Sequence, residues 1–222
     1  MTVVVDDPLN PDPEYARYLI SVPDALDLEP WLSWCRLARG EVLYLGPGAG
    51  RLFYPLWQAG VRLVGLEAHP ELAGWLARRL PEATVHRGRL ETARLRARFD
   101  LVMAPSNLLA APGRLEAARA LARRALAFEL LNPHWLAAGA GEGVEVLAFE
   151  AEVATLRVRQ SARYQEEETV HLVWPEHLEA RLDRLGLRLE AMSGAEDEDL
   201  ATSPSYCALA SSRRFLPRAP GW

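Results

Sequence analysis

The chain has 222 residues, half of them apolar, and carries a formal net charge of −5 at pH 7. This length suits one large domain or a domain with a sizeable insertion, and the apolar share argues against wholesale disorder. The net negative charge and the lack of a long basic stripe argue against a nucleic-acid partner, whose phosphates such a stripe would neutralise.

The sequence also lacks the signals of secretion, membrane anchoring and metal binding. Its N-terminus has neither a basic leader nor a long apolar core, and no apolar run is long enough to span a bilayer. Cys35 and Cys207 lie far apart, and the histidines show no zinc-binding spacing. We therefore expect a cytoplasmic protein with reduced thiols, without a membrane partner or a metal site. Its oligomeric state stays open between a monomer and a homodimer.

Residues 1–40 are predicted to form a helical arm ahead of the main domain. A segment rich in proline and aspartate, 6–13, predicts irregular structure. Residues 14–20 and 28–37 then predict two short helices, the second of which has a proline near its start and a glycine beyond its end.

A glycine-rich loop follows residues 42–45, where four apolar residues predict a buried strand. Gly46, Gly48 and Gly50 stand at alternate positions, and apolar residues at helical spacing begin soon after them. The stretch therefore predicts a strand, a tight loop and the start of a helix. Alternate glycines let the backbone turn sharply and let a ligand lie against the main chain.

Short strands and helices alternate after this loop as far as residue 131. The strands are brief apolar runs, and the helices carry apolar residues at helical spacing, in one case between two prolines. This alternation is typical of a parallel sheet covered by helices on both faces. Predicted strands cover 61–67, 84–88, 99–104 and 126–131, and predicted helices cover 70–80 and 113–125.

The pattern changes at Gly143. Residues 144–174 predict strands with partial alternation and no room for helices between them, so they should pair antiparallel. Glu166, Glu167 and Glu168 in this insertion are interpreted as a solvated hairpin end. The rest of the chain predicts a helix over 175–185, a long-looped hairpin with strands over 187–192 and 205–210, an acidic loop over 196–199, and an irregular tail over 213–222.

Two classes of adenosine-containing ligand suit a glycine loop after a strand: a dinucleotide and S-adenosylmethionine. Both need an acid at the end of the next strand to hold ribose hydroxyls, and Glu67 stands there. The dinucleotide fingerprint is G-x-G-x-x-G, but Arg51 stands where its last glycine belongs. Arg51 and the C-terminal hairpin favour S-adenosylmethionine over NAD or FAD.

The motifs together resemble those of the class I S-adenosylmethionine-dependent methyltransferases of the small-molecule type. The resemblance implies a Rossmann-like, doubly wound α/β fold over 41–222. Its seven-stranded sheet would be mostly parallel with a C-terminal antiparallel hairpin, and an antiparallel β segment would be inserted at about 144–174. The stretches that carry the resemblance are 42–51 (VLYLGPGAGR), 64–72 (VGLEAHPEL), 99–107 (FDLVMAPSN), 128–133 (FELLNP) and 174–178 (WPEHL).

The resemblance also implies an enzyme that moves a methyl group to nitrogen or oxygen of a small molecule by in-line displacement. The glycine loop would lie against the methionine part of S-adenosylmethionine, Glu67 would bind the ribose, and residues 1–40 would serve as a lid. The implied cofactor-binding residues are Gly46, Gly48, Gly50, Glu67, Ala68, Leu90 and Ala104, and the implied substrate-binding residues are Tyr15, Tyr18 and Asn107.

Two positions depart from the family pattern. Tyr44 stands where the family usually has an acid that helps hold the cofactor's amino group. Arg89 stands where an aspartate usually contacts the adenine amino group, and a guanidinium cannot accept that hydrogen bond. These departures motivate an alternative function, a catalytically silent protein of the same fold that acts as a binding or regulatory partner.

A base is needed if the acceptor is an oxygen nucleophile or a protonated amine. His134 follows the predicted fifth strand, near the expected mouth of the substrate site, and is the first candidate. Tyr18, His69 and Tyr164 are weaker candidates.

Overall fold

The computed structural model of the protein describes residues 2–4, 7, 9–95, 97–195 and 199–212. The predictions for the tail over 213–222 and for residues 196–198 of the acidic loop lie outside the described residues, as do residues 6 and 8 of the predicted irregular segment. The elements are, in chain order, β1 (Thr2–Val4), α1 (Pro13–Ser21), α2 (Trp31–Arg36), β2 (Val42–Leu45), α3 (Phe53–Gln58), β3 (Leu63–Glu67), α4 (Pro70–Arg79), β4 (Thr84–Arg87), β5 (Phe99–Ala104), a 3₁₀ helix (Asn107–Ala110), α5 (Arg114–Leu121), β6 (Ala122–Leu131), α6 (Pro133–Ala137), β7 (Val144–Glu150), β8 (Val153–Arg159), β9 (Tyr164–His171), α7 (Pro175–Asp183), β10 (Arg188–Gly194) and β11 (Ser205–Ser211).

The larger sheet has seven strands in the order β10-β11-β6-β5-β2-β3-β4. Strands β2 to β6 run parallel to one another, whereas β11 pairs antiparallel with both β6 and β10. The expected fold class, a mostly parallel α/β sheet that ends in an antiparallel hairpin, is confirmed.

Helices cover both faces of this sheet. Leu43 and Leu45 of β2 belong to one apolar core with α5 and α7, whereas Val42 and Tyr44 belong to the opposite core with α2, α3 and α4. Because side chains alternate along a strand, one short apolar run can supply both cores.

Strand β2 lies where the strand order reverses, because it pairs with β3 on one side and with β5 on the other. In open α/β sheets, ligands bind at the carboxyl ends of the strands beside such a point. The glycine loop follows β2 at this edge, next to the segments that follow β3 and β5.

The smaller sheet has four strands in the order β1-β9-β8-β7, and its last three strands pair antiparallel as predicted for the insertion. Leu156, Val170 and Leu172 pack it against Leu136 of α6. Strand β1 was not predicted. It pairs in parallel with β9, so its partner is far away in the sequence and no local pattern reveals it.

The helix predicted over 113–125 ends at Leu121, and β6 already begins at Ala122, so this boundary was wrong. Alanine and arginine favour a helix locally. Here Ala122 pairs with Phe99 of β5, and Ala125 pairs with Ser211 of β11. Ladder pairing on both sides thus overrides the local propensity.

The interpretation of the three glutamates as a hairpin end was also wrong. They lie inside β9, where Glu166 pairs with Val158 and Glu168 with Leu156 of β8.

Helix α6 was missed, although its start carries a clear signal. The Asn132 side chain accepts a hydrogen bond from the His134 amide, and Pro133 occupies the first turn.

Candidate functional site

Two neighbouring cavities lie at the carboxyl edge of the larger sheet. The loop cavity, of about 250 Å³, lies against the glycine loop and the segments 66–68 and 88–91. The insertion cavity, of about 630 Å³, lies between the 3₁₀ helix and β9. Four residues line both cavities, so a ligand in one would lie beside a ligand in the other. These shared residues are Tyr15, Ser106, Leu108 and Arg114.

The three glycines of the loop have different surroundings. Gly46 and Gly48 line the loop cavity, and a methyl group added at Gly46 would meet no atom within 4 Å. Gly50 instead faces the protein interior, where an added Cβ would come within 2.6 Å of the Leu76 side chain. The first two glycines therefore leave room for a ligand, and the third lets α4 pack closely against the loop.

Glu67 ties the glycine loop to the end of β3. One carboxylate oxygen accepts a hydrogen bond of 2.8 Å from the Gly48 amide, and the other accepts one of 2.7 Å from the His69 amide. The side chain lines the loop cavity although the residue is only 6% exposed. A buried carboxylate held by backbone amides is well suited to bind hydroxyl groups of a ligand.

Ala68 and Leu90 line the same cavity, and the contacts with an adenine ring expected of them stay a prediction. Arg89 forms an ion pair with Glu91, at 3.5 Å between Nε and Oε2, and Arg114 donates to the other Glu91 oxygen at 2.8 Å. Sequence reasoning missed Glu91, although it follows the third strand of the parallel sheet in a loop.

The pKa of Glu91 is lowered. Partial burial raises the pKa, but a hydrogen bond from its own backbone amide and the charges of Arg114 and Arg89 outweigh that effect. The group therefore lines the loop cavity as a carboxylate between two guanidinium groups.

Tyr44 does not enter the loop cavity. It is buried on the opposite face of β2, with its ring centroid 5.7 Å from that of Phe53. Burial, together with the nearby Glu129 carboxylate, raises the pKa of its phenol, so Tyr44 stays neutral. With Arg51 and Glu129 it lines a separate cavity of about 300 Å³.

The N-terminal arm lies over the glycine loop. Ala16 and Leu19 of α1 pack with Ala49 and Leu72, and Tyr15 extends over both cavities. Arg51 fixes the segment of the arm that follows α1 in the sequence. Its side chain donates to the Pro23 carbonyl and its own carbonyl accepts from the Ala25 amide, both at 2.9 Å. This placement suits the predicted lid, whose movement stays a prediction.

Tyr18 bridges the arm and the insertion. Its hydroxyl donates to Gln160 Oε1 at 3.0 Å, and Gln160 Nε2 donates to Glu166 Oε2 at 2.7 Å. Its ring also lies 5.3 Å from that of Tyr164, between centroids. Burial and the Glu166 charge raise the pKa of Tyr18, although Arg51 opposes them. Tyr18 is thus a donor that orients a chain of polar groups.

Asn107 and Ala104 hold the backbone around the cavities. Asn107 Nδ2 donates to the His171 carbonyl at 2.9 Å, and Oδ1 accepts from the Leu131 amide at 3.0 Å. Ala104 is fully buried, and its carbonyl accepts the Ser106 amide at 2.8 Å. Asn107 does line the insertion cavity. The direct ligand contacts expected of both residues stay predictions.

His134 lies in neither cavity. Its Nε2 is 3.1 Å from a Glu176 oxygen, its ring packs on Trp174, and it lines a separate groove beside α7. This position does not support a role of His134 as the base that deprotonates the acceptor.

His69 is buried beside α1, with Nε2 3.3 Å from the Asp12 carbonyl. Within the described ranges, no group of three or more His, Cys, Asp or Glu side chains could hold a metal ion.

A scan against protein-family models and a search of curated protein sequences both give no match. Solved structures are similar. The CcbJ methyltransferase from Streptomyces caelestis is 19% identical with a TM-score of 0.63, over 92% of this chain and 91% of that one. The glycopeptide N-methyltransferase MtfA, complexed with S-adenosylmethionine, is 19% identical with a TM-score of 0.57, over 90% of this chain and 98% of that one.

CalS10, an S-adenosylmethionine-bound amino pentose methyltransferase from Micromonospora echinaspora, is also 19% identical. Its TM-score is 0.57, over 82% of this chain and 88% of that one. The chain has the fold of class I S-adenosylmethionine-dependent methyltransferases. Among the residues of this chain that the structure describes, no helix is long and apolar enough to cross a membrane.

Proposed function

We propose that the protein is a cytoplasmic methyltransferase that uses S-adenosylmethionine to methylate nitrogen or oxygen of a small molecule. The observation that carries the proposal is the pair of neighbouring cavities, of which one is bounded by the glycine loop and Glu67. Group transfer needs the donor and the acceptor side by side. The solved structures of MtfA and CalS10 with S-adenosylmethionine support the choice of methyl donor.

The residues around the loop cavity fit this donor. The space beside Gly46 admits a ligand against the main chain, and the Glu67 carboxylate suits the two ribose hydroxyls. Ala68 and Leu90 offer apolar walls to a planar ring. In this assignment Gly48 contributes its backbone to the methionine part, and Gly50 supports the loop from behind.

Glu91 takes the role that the family pattern gives to an acid at position 89. Its ionised carboxylate lines the loop cavity and can accept a hydrogen bond from the adenine amino group, which a guanidinium cannot do. Arg89 and Arg114 hold that carboxylate in position. The departure at Arg89 is therefore compensated two residues later.

S-adenosylmethionine, when bound, supplies a methyl group on a positively charged sulfur that is already activated. The protein then has to align the acceptor and exclude water, and alignment of reactants can lower a barrier by about 7–11 kcal/mol. Tyr15, Ser106 and Leu108 line both cavities and would form the passage between donor and acceptor.

A catalytically silent role is not favoured. One form of it predicts that side chains fill the cavity beside the glycine loop, but that cavity measures about 250 Å³ and Tyr44 lies on the other face of the sheet. The other form predicts that the cofactor binds without turnover of any amine or hydroxy substrate. An active enzyme accounts for the space with fewer assumptions.

Replacing the buried carboxylate tests the proposal. Glu67→Gln should raise the Kd for S-adenosylhomocysteine about tenfold to a hundredfold in calorimetry, because charged hydrogen bonds are lost. Glu82→Gln, in an exposed turn after α4, is the matched control and should leave the Kd unchanged. Equal affinities for the wild type and both variants would reject the assignment of Glu67.

A further inference from the structure

The acceptor side of the site is built from an unusual strand. Side chains alternate along β9, so Glu166, Glu168 and Val170 share one face, and Val170 belongs to the buried core beneath the insertion. Glu167 lies on the other face, where Arg157 Nε donates to it at 2.7 Å. All three glutamates line the insertion cavity, but the Glu167 carboxylate is paired with Arg157, so Glu166 and Glu168 are the two that the inner face contributes.

Glu166 is held in a defined position there. The residue is only 6% exposed, and its Oε2 receives the 2.7 Å hydrogen bond from Gln160, which is itself oriented by the Tyr18 hydroxyl. The chain of three side chains joins α1 to β9. A carboxylate with restricted motion and little contact with water interacts strongly with a nearby charge.

Among the residues that the structure describes, the basic side chains that line this cavity are Arg114 and His171. The Arg114 guanidinium donates to Glu91 at 2.8 Å and is therefore already committed to a carboxylate of the loop cavity. Strand β9, which also carries His171, adds the carboxylates of Glu166 and Glu168 to the wall of this cavity. This arrangement favours a cationic ligand and opposes an anionic one.

We propose that the methyl acceptor is a small molecule with a basic amine, that it enters the insertion cavity as an ammonium ion, and that Glu166 on β9 binds it. This inference rests on the proposed function and narrows its acceptor from nitrogen or oxygen to an amine nitrogen. Glu166 is a specificity-determining residue in this account, and Tyr18 and Gln160 are positioning residues.

The ammonium ion must lose a proton before its nitrogen can accept the methyl group. The ammonium nitrogen has no lone pair, so it first gives one proton to solvent water, while the carboxylates of β9 only bind and position the ammonium ion. The amine lone pair forms the new bond to the methyl carbon while the sulfur–methyl bond breaks. The electron pair of the broken bond stays on sulfur, which becomes a neutral thioether, and the product is a methylammonium ion.

Matched pairs of acceptor probes test the inference. Glucosamine against glucose, and benzylamine against benzyl alcohol, are incubated with S-adenosylmethionine, and the methylated products are measured by mass spectrometry. The amine of each pair should be methylated in preference to its alcohol. Preference for the alcohols would overturn the inference.

Two variants locate the effect. Glu166→Gln should lower kcat/KM for the amines about tenfold, mainly through KM, and should leave the Kd for S-adenosylhomocysteine unchanged. Glu145→Gln, an exposed residue of β7, is the control and should keep wild-type kinetics. Equal kinetics of the two variants would overturn the role of Glu166.

If no probe is methylated, calorimetric titration of the same amines into the protein with S-adenosylhomocysteine decides. Amine binding that Glu166→Gln weakens supports the inference, and absent or unchanged binding overturns it. Failure of the proposed function has a different signature, because S-adenosylhomocysteine itself then fails to bind. The amines are in that case titrated into the protein alone, with the same two outcomes.

Discussion

The loop cavity and the insertion cavity differ in how the chain builds them. The wall of the loop cavity comes largely from backbone and from side chains directly after β2, β3 and β4, each close to its own strand end. The insertion cavity joins α1, the 3₁₀ helix and β9, which are distant in sequence. In the function proposed above, S-adenosylmethionine is thus recognised by short local motifs, whereas selection of the acceptor depends on long-range packing.

The largest expected effect concerns the loop. In Gly50→Ala, the new Cβ would meet Leu76 at 2.6 Å, in a backbone conformation with φ of +91° that disfavours side chains. We expect the free energy of unfolding in urea to fall by about 2–4 kcal/mol.

Gly60→Ala separates the two causes of that loss. Gly60 has a similar φ of +86°, but an added Cβ meets nothing within 4 Å. It should lose only the conformational part, about 1–2 kcal/mol. An equal loss in both variants would show that close packing of α4 contributes nothing at Gly50.

An intermediate effect is expected at Asn107, whose side chain connects β9 of the smaller sheet with β6 of the larger sheet. Asn107→Ala removes both the donor to the His171 carbonyl and the acceptor for the Leu131 amide. Unfolding in urea should become easier by about 1–3 kcal/mol, because partly buried backbone groups lose their partners. The Kd for S-adenosylhomocysteine should change by less than about twofold, since Asn107 lines only the insertion cavity.

Asn10→Ala, in an exposed turn, is the control for Asn107→Ala and should behave like the wild type. If Asn107→Ala unfolds like this control, Asn107 does not hold the insertion against the larger sheet.

The smallest expected effect is a pH dependence at Glu91. Its pKa in the folded protein lies below the ordinary value of 4.5. Its ion pairs therefore stabilise the fold above that pH, and the contribution disappears as the pH falls through the folded pKa. Because the Glu91 side chain is 34% exposed, the contribution should be at most about 1 kcal/mol.

Urea unfolding of the wild type and Glu91→Gln at pH 7 and pH 3 measures this contribution. The wild type should be more stable at pH 7, and the difference should be smaller at pH 3. A difference that stays constant or grows on acidification would contradict the lowered pKa.

The sequence predicted the parts of the molecule whose signals are local. The strand-loop-helix at β2 and the acid at the end of β3 were located to within a few residues. The parts that depend on distant partners were missed: β1 needs β9 to form, and residues 122–125 become strand only between β5 and β11.

The same distinction applies at the site. His134 follows β6 directly in the sequence, but in the fold it contacts Glu176 and lines a groove apart from both cavities, so its role as a base stays a prediction. The glutamates of β9 looked like a solvated run, since three like charges in a row carry no local sign of a buried face. The position of Glu166 follows only from two contacts in the fold, its pairing with β8 and the hydrogen bond that it accepts from Gln160.

The identity of the adenosine-containing ligand that binds beside the glycine loop is the most direct test of the proposed function. Calorimetric titration of the wild type with S-adenosylhomocysteine and, separately, with NADH distinguishes the two classes. We expect one S-adenosylhomocysteine to bind per chain with a Kd in the micromolar range, and NADH to give no heat of binding. Tight binding of NADH without binding of S-adenosylhomocysteine would contradict it.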